Sequence, residues 1–447
     1  MDIIPKEGLP LLVEWAPLFT QPTYRRFLIL LLGAILTTGR RTLSNLLRTV
    51  GALAVGHASS YHRVLLQARG SAYGLAAALV RVLIRHYWPQ GVIALVGDET
   101  VTEHRGKKVY GKGRHRDAVR SSHSYTAHRY GHCWVVLAVL VKFPWALRPW
   151  ALPVLVDLYR TPEESRRHGR RHRTPSQRMQ RLLRVLLRWF PERRFRFAGD
   201  GHYGSHAMAR FALRQQGRLT RVSRFHADAQ LYAPAPTRSG RRGRPRVKGD
   251  RRPAPQQVVA TAQRQRLEVS WYGGGRRAVE VVSRTGYWYN AGHGLVRLRW
   301  VWVHDLEGTH RDEYFFSSDP ALSPAQIIAL YTGRWNIETT FQELRAYLGL
   351  ESTRGWVRRT VRRATPCLFG LYSVVALLYA WLPAAKRAAV GVHWQGKRGL
   401  TFSDAITSVR RWLWQDGIFA TLAHDAAFSK IPQELQTLLL SALSPAA

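Results

Sequence analysis

Apolar side chains return every three or four positions through the first part of the chain. Phe27, Leu28, Leu31, Leu32 and Ile35 mark one helix; Leu43, Leu46, Leu47 and Val50 mark a second, with Thr42 placed to cap it. A break at residues 56–60 separates them from the basic stretch Tyr61-His62-Arg63-Val64-Leu65-Leu66. Helix, break and basic helix fit a helix-turn-helix, although any helical bundle gives the same pattern. Residues 1–88 are therefore expected to form a helical, DNA-binding region.

Beyond residue 90 the pattern changes. Val92 to Val96 is a continuous apolar run ending in Gly97-Asp98, as a central strand would. Cys133 to Val141, Leu152 to Val156 and Phe195 to Ala198 are also strand-like, and the last leads into Gly199-Asp200-Gly201. Thr174 to Phe190 and Ser205 to Gln215 read as helices. Residues 233–257, rich in Pro, Gly and Arg, read as a flexible loop. Alternation from Val258 to Trp302, with Gly-rich turns, predicts an antiparallel β module. Ser323-Pro324 then opens a helix through Leu348, and further helices are expected over 356–382, 402–421 and 431–443. The expected organisation is an α/β core in two parts, 89–227 and 319–385. A β-rich insertion occupies 228–318, and a helical region follows over 386–447.

Cys367 to Leu382 carries no charge and is stopped by Pro383. As a helix it reaches about 24 Å, short of the roughly 30 Å core of a bilayer. It is expected to be a buried core helix, and no membrane partner is expected. The two cysteines, Cys133 and Cys367, cannot build a disulfide scaffold or a structural zinc site and read as buried thiols. The first residues lack the pattern of a secretory signal, so a cytoplasmic, nucleoid-associated protein is expected.

Charge narrows the partner. Against 28 Asp+Glu stand 68 Lys+Arg, a formal net charge of +40, which points to a polyanion. In so basic a chain the acids at predicted strand ends stand out: Asp98 and Asp200, each beside a glycine. Either alone reads equally well as a turn residue. A third acid, Glu338, lies on one helical stripe with Tyr331, Arg334, Gln342 and Arg345. A solvated face is the plain alternative, but Leu330, Trp335, Ile337 and Phe341 make much of that helix apolar. Three carboxylates on two strand ends and a helix suit two divalent ions, Mg²⁺ with Mn²⁺ able to substitute. The arginines suit phosphates.

These residues resemble a known family. Tyr331, Arg334, Glu338 and Arg345 match the Y-(2)-R-(3)-E-(6)-K signature of insertion-sequence DDE transposases, with Arg in place of the final Lys. Gly97-Asp98-Glu99-Thr100 resembles the first acidic motif, and Ala198-Gly199-Asp200-Gly201-His202-Tyr203-Gly204 the second. The resemblance runs from about residue 20 to residue 380. It implies an RNase H-like mixed sheet with flanking helices, and Asp98, Asp200 and Glu338 as catalytic metal ligands. It also implies a β-rich insertion, which accounts for the separation of 138 positions from Asp200 to Glu338. The implied activity is cut-and-paste transposition. Its partners would be terminal inverted repeats and target DNA, with a homodimer pairing two ends. A non-catalytic DNA-binding descendant and an RNase H-like nuclease without strand transfer are the alternatives.

Other basic and aromatic signals bear on DNA. The arginines between Arg166 and Arg196 read as a phosphate-binding surface. Arg241-Arg242-Gly243-Arg244-Pro245-Arg246 contains the core of an AT-hook; a basic loop that touches phosphates is the plainer reading. Trp335 would pack against the sheet or stack on a base. His115, His123, His128 and His132 cluster too loosely to fix a zinc geometry. His104 and His202 lie near the acids in sequence and could orient a water.

Overall fold

A computed structural model describes residues 4–68, 71–117, 120–236, 246–388, 399–422 and 430–446, with 395, 397, 425 and 428. Five helices come first: α1 (Leu9–Trp15), α2 (Gln21–Leu36), α3 (Leu43–Val50), α4 (Ala58–Gln67) and α5 (Ala72–Tyr87). Thr42 caps α3 as expected, its hydroxyl accepting the Asn45 N–H at 3.3 Å. The strands β1 (Val92–Glu103), β2 (Gly113–Arg116), β3 (His128–Val141) and β4 (Trp150–Tyr159) follow. Then come α6 (Pro162–Arg167), α7 (Pro175–Trp189), β5 (Arg194–Gly199), α8 (His206–Leu213) and β6 (Leu219–Arg224).

Strand order along the core is β4-β3-β1-β5-β6. β1 runs antiparallel to β3, and β3 to β4, whereas β1, β5 and β6 are mutually parallel. The sheet is therefore mixed, as expected. β3 can cross β1 closely because Gly131 faces Glu103; a Cβ there would lie 1.9 Å from the Thr102 carbonyl oxygen.

The β-rich insertion comprises β7 (Leu231–Tyr232), β8 (Arg251–Arg252), α9 (Pro255–Thr261), β9 (Gln265–Ser270), β10 (Arg276–Asn290), β11 (Gly294–Asp305) and β12 (Glu313–Ser317). It is no separate module: β12 pairs with β6 and carries the core sheet onward through β11 and β10. The loop expected over 233–257 is shorter than that, since β8 and the start of α9 fall inside it. Pro255 at the first turn of α9, and Gln257 bonding back to the Ala254 N–H at 2.9 Å, start a helix that Pro/Gly counting reads as loop.

The helices after the insertion are α10 (Pro324–Gly333), α11 (Asn336–Leu348), α12 (Arg358–Trp381), α13 (Ala384–Ala388) and α14 (Phe402–Trp412). A last helix spans Gln433–Leu443. Among the described residues only α12 is long and apolar enough to cross a membrane. It is instead mostly buried, with Leu368, Phe369, Tyr372, Val375 and Tyr379 in the core. Cys133 is buried and Cys367 half-buried.

The terminal regions share this core. Trp15, Leu28, Leu79 and Leu83 belong to the same apolar cluster as Leu155 of β4, Leu371 of α12 and Val409 of α14. Arg410, fully buried, donates to the carbonyls of Ile35 at 2.7 Å and Thr37 at 3.0 Å. The end of α2 is thereby bound to α14.

Candidate active site

Side chains alternate along β1. A Cβ on Gly97 would strike Met179 of α7 at 2.4 Å, so Gly97 and Glu99 face α7. Asp98 and Thr100 face the other way, toward α11. The parallel pairing of β1 with β5 ends at Gly97 and Gly199, so Asp98 and Asp200 stand near each other just past it. Asp98 does not end its strand, contrary to expectation. β3 keeps pairing with β1 as far as Glu103, which holds Asp98 in regular extended backbone.

Asp200 does end β5. Its carboxylate accepts the N–H groups of His202 at 3.0 Å and Tyr203 at 3.4 Å, capping a single 3₁₀ turn. The Ser223 hydroxyl donates to the carbonyls of Gly199 at 2.8 Å and Asp200 at 2.7 Å. The backbone that carries Asp200 is therefore held from two sides.

The third acid comes from a helix that breaks. One helix was expected from Ser323 to Leu348; α10 ends at Gly333 and α11 begins at Asn336. Between them the amides of Arg334 and Trp335 bond three residues back, to Tyr331 at 3.1 Å and Thr332 at 3.2 Å. The Asn336 side-chain amide takes the Gly333 carbonyl at 2.9 Å. Such a tight turn rotates the following residues relative to a continuous helix. Arg334 is aimed inward and is 8% exposed; Trp335 is aimed outward and is 46% exposed.

Arg334 joins the acids. Its Nη1 donates to Asp98 Oδ2 at 2.9 Å and to Glu338 Oε1 at 3.1 Å. Burial pushes the Asp98 carboxyl up to about 7, against the downward pull of Arg334, and Asp200 and Glu338 add to the rise. Burial also raises Glu338, again opposed by Arg334. Burial works against the charge on Arg334, yet Asp98, Tyr331 and Glu338 together hold its guanidinium above its ordinary range. Asp98 and Glu338 already share one cation, so the position between them accommodates positive charge.

The other expected contact residues fall in different settings. Tyr331 is 2% exposed, stacked on Phe315 at 4.2 Å and lying under the Arg334 guanidinium. Arg345 reaches the Thr100 hydroxyl and the Val101 carbonyl, the latter at 3.2 Å, and so clasps α11 to β1. Trp335 is not packed into the core; its ring meets Tyr272 edge-on at 6.1 Å. Arg241, Arg242 and Arg244 lie outside the described residues. In the arginine-rich stretch Arg178 is buried on Asp157 at 2.9 Å, while Arg181, Arg184 and Arg188 line the exposed face of α7. His132 Nε2 meets the Tyr110 carbonyl at 2.9 Å, and its ring packs against His104.

Two features escaped sequence reasoning. Glu99, beside Asp98, accepts a hydrogen bond from the Tyr203 hydroxyl at 3.0 Å on the α7 face, linking the first acidic motif to the second. Strand alternation could have placed Glu99 there. Arg221 of β6 is 1% exposed, and its guanidinium has no hydrogen-bond partner among the described residues. It lies over the rings of Phe197 and Phe316, and burial depresses it to about 9 although Asp200 and Tyr203 favour its charge. No pattern in the sequence separates Arg221 from its many exposed counterparts.

Among the described residues no three His, Cys, Asp or Glu side chains gather as metal ligands. Arg334 stands between Asp98 and Glu338, and the backbone of the next turn holds Asp200. The donor chemistry nonetheless suits a hard divalent ion: Asp98 and Glu338 offer carboxylate oxygens on either side of the Arg334 guanidinium, and Asp200 is near enough to act on that guanidinium through its charge. In sequence, the profile described as DDE superfamily endonuclease matches residues 14–278. The chain belongs to the DDE superfamily endonucleases. The match takes in Asp98 and Asp200 and stops short of Glu338. No curated protein matches the chain. Among solved structures it is similar to a piggyBac transposase synaptic complex with hairpin DNA. The TM-score is 0.41 at 11% identity, over 95% of this chain and 77% of that one.

Proposed function

We propose that the chain is a DNA transposase. It cuts the ends of an insertion element and joins them to target DNA in cut-and-paste transposition. The observation that supports this reading is the bridging of Asp98 and Glu338 by Arg334, with Asp200 on the neighbouring strand close enough for its charge to raise the Asp98 carboxyl. Mg²⁺, or Mn²⁺ in its place, would be held by these three carboxylates. When bound, such ions activate a water or a 3′-hydroxyl and stabilise the leaving oxygen of an in-line displacement.

The chain's own residues do the rest. Arg334 exchanges its two carboxylates for a DNA phosphate, which frees Asp98 and Glu338 as ligands. Ser223 and the amides of His202 and Tyr203 keep Asp200 in place. Arg345 fixes α11 against β1, so that Glu338 stays opposite Asp98. Trp335 offers an exposed ring beside Arg334 on which a base can stack. The net charge of +40 supports DNA as the partner, both element ends and target. Pairing two ends calls for two copies of the chain.

A strand-transfer assay tests this. The full chain is incubated with Mg²⁺, a labelled duplex from the edge of the element and a plasmid target. Label covalently joined to the plasmid is the expected product. Cleavage without joining would reduce the protein to a nuclease.

A further inference from the structure

At the far end of β1 from the core, a cleft of about 470 Å³ opens between Glu103-His104-Arg105, the end of α11, the segment Gly349–Arg354 and Arg40. Its charges are unevenly matched. Glu103 pairs with Arg129 at 2.9 Å, and Glu351 with Arg345 at 3.4 Å. Arg40, Arg105 and Arg354 line the same cleft, are exposed, and have no carboxylate partner among the described residues. The acids are thus already engaged and the arginines are not. His104 adds a buried Nε2 without a hydrogen-bond partner.

The walls are held in place. Gly349 adopts the left-handed conformation that ends α11, with φ +56°. Ser352 donates to the Gly349 carbonyl at 2.6 Å and accepts the Arg41 N–H at 2.8 Å. Two residues past Arg354 stands Trp356, 59% exposed, its carbonyl fixed by the Tyr110 N–H at 2.9 Å. Exposed arginines followed by an exposed, backbone-anchored tryptophan are what a single strand needs, phosphate partners and a stacking platform. Arg345 forms part of the cleft and bonds Thr100, two residues from Asp98 on the same face. From Asp98 to Glu103 the strand covers about 17 Å, the rise of about five nucleotides.

We infer that this cleft binds a single DNA strand leading away from the acids, with phosphates on Arg40, Arg105 and Arg354 and an unpaired base on Trp356. The inference rests on the transposase reading and adds the path of the DNA. The test uses the full chain, a labelled twelve-residue oligothymidine and a labelled random duplex across a salt series. Trp356→Ala weakens the oligothymidine roughly 5- to 150-fold, and Trp356→Phe restores most of it. The triple variant Arg40→Ala, Arg105→Ala, Arg354→Ala lowers the slope of log affinity against log salt by about 2. Unchanged melting temperatures show that the variants are folded. If wild-type protein binds both DNAs and the variants match it in affinity and slope, the cleft is not a strand site and the transposase reading survives. If wild-type protein binds neither DNA, both fail.

Discussion

Replacing Arg334 by Met should destabilise the protein in a way that grows with pH. The guanidinium bridges Asp98 and Glu338, and Asp98 sits at about 7 even with that positive charge beside it. A carboxyl raised from 3.8 to about 7 leaves stability intact below pH 3.8 and costs stability as pH rises toward 7. Above about 7 the wild-type loss stops, because folded and unfolded chains are then both ionised. Without Arg334, burial and the neighbouring acids carry the Asp98 carboxyl higher still, so the variant goes on losing stability. The gap should widen by about 1.4 kcal/mol per pH unit above 7, until the variant's own value is passed. Between pH 7 and 9 this amounts to as much as about 2.7 kcal/mol. It adds to a pH-independent loss of roughly 1–3 kcal/mol for the broken charged hydrogen bonds. Urea unfolding midpoints of both proteins at pH 6, 7.5 and 9 read this directly. An equal loss at pH 6 and pH 9 would refute the coupling between Arg334 and Asp98.

Two further outcomes follow from packing. Gly97→Ala sets a methyl 2.4 Å from Met179 and 2.7 Å from Phe197, and should cost about 1–3 kcal/mol by urea unfolding; a neutral result would mean that α7 yields freely. A chain beginning at Gly91 should fail to fold, because Trp15, Leu28, Leu79 and Leu83 cover β4 and α12; a soluble truncated protein with a cooperative melt would show that the N-terminal helices fold apart from the core.

The elements that carry the three acids were legible where local signals agreed. The run Val92 to Val96, the stop at Asp200 and the apolar helix around Glu338 each set an acid beside a strong local pattern. The same evidence misjudged what depends on neighbours. Asp98 looked like a strand end because the apolar run stops before it, but strand length was decided by β3 pairing on through Gly131. The break at Arg334 and Trp335 has no Pro, and Gly333 before it was passed over because the apolar pattern continues on both sides; the bond from the Asn336 side-chain amide to the Gly333 carbonyl depends on side-chain direction, which periodicity does not give. Read as a continuous helix, α10 and α11 put Trp335 among the packed residues; the turn puts it in solvent. The N-terminal helices were read as a region apart, since nothing local says that Arg410 will reach the carbonyls of Ile35 and Thr37.

The central claim is that Asp98, Asp200 and Glu338 form one metal-dependent site for cutting DNA. The most direct measurement is cleavage of a labelled duplex from the edge of the element by the full chain with Mg²⁺, run beside Asp98→Asn, Asp200→Asn and Glu338→Gln, with DNA binding measured in parallel. The wild-type chain should cut only with the divalent ion present. Each variant should bind DNA nearly as well, since phosphates are held by the basic surface, and should not cut. Cleavage at near wild-type rate by any one variant, or by wild-type protein in EDTA, would contradict the account.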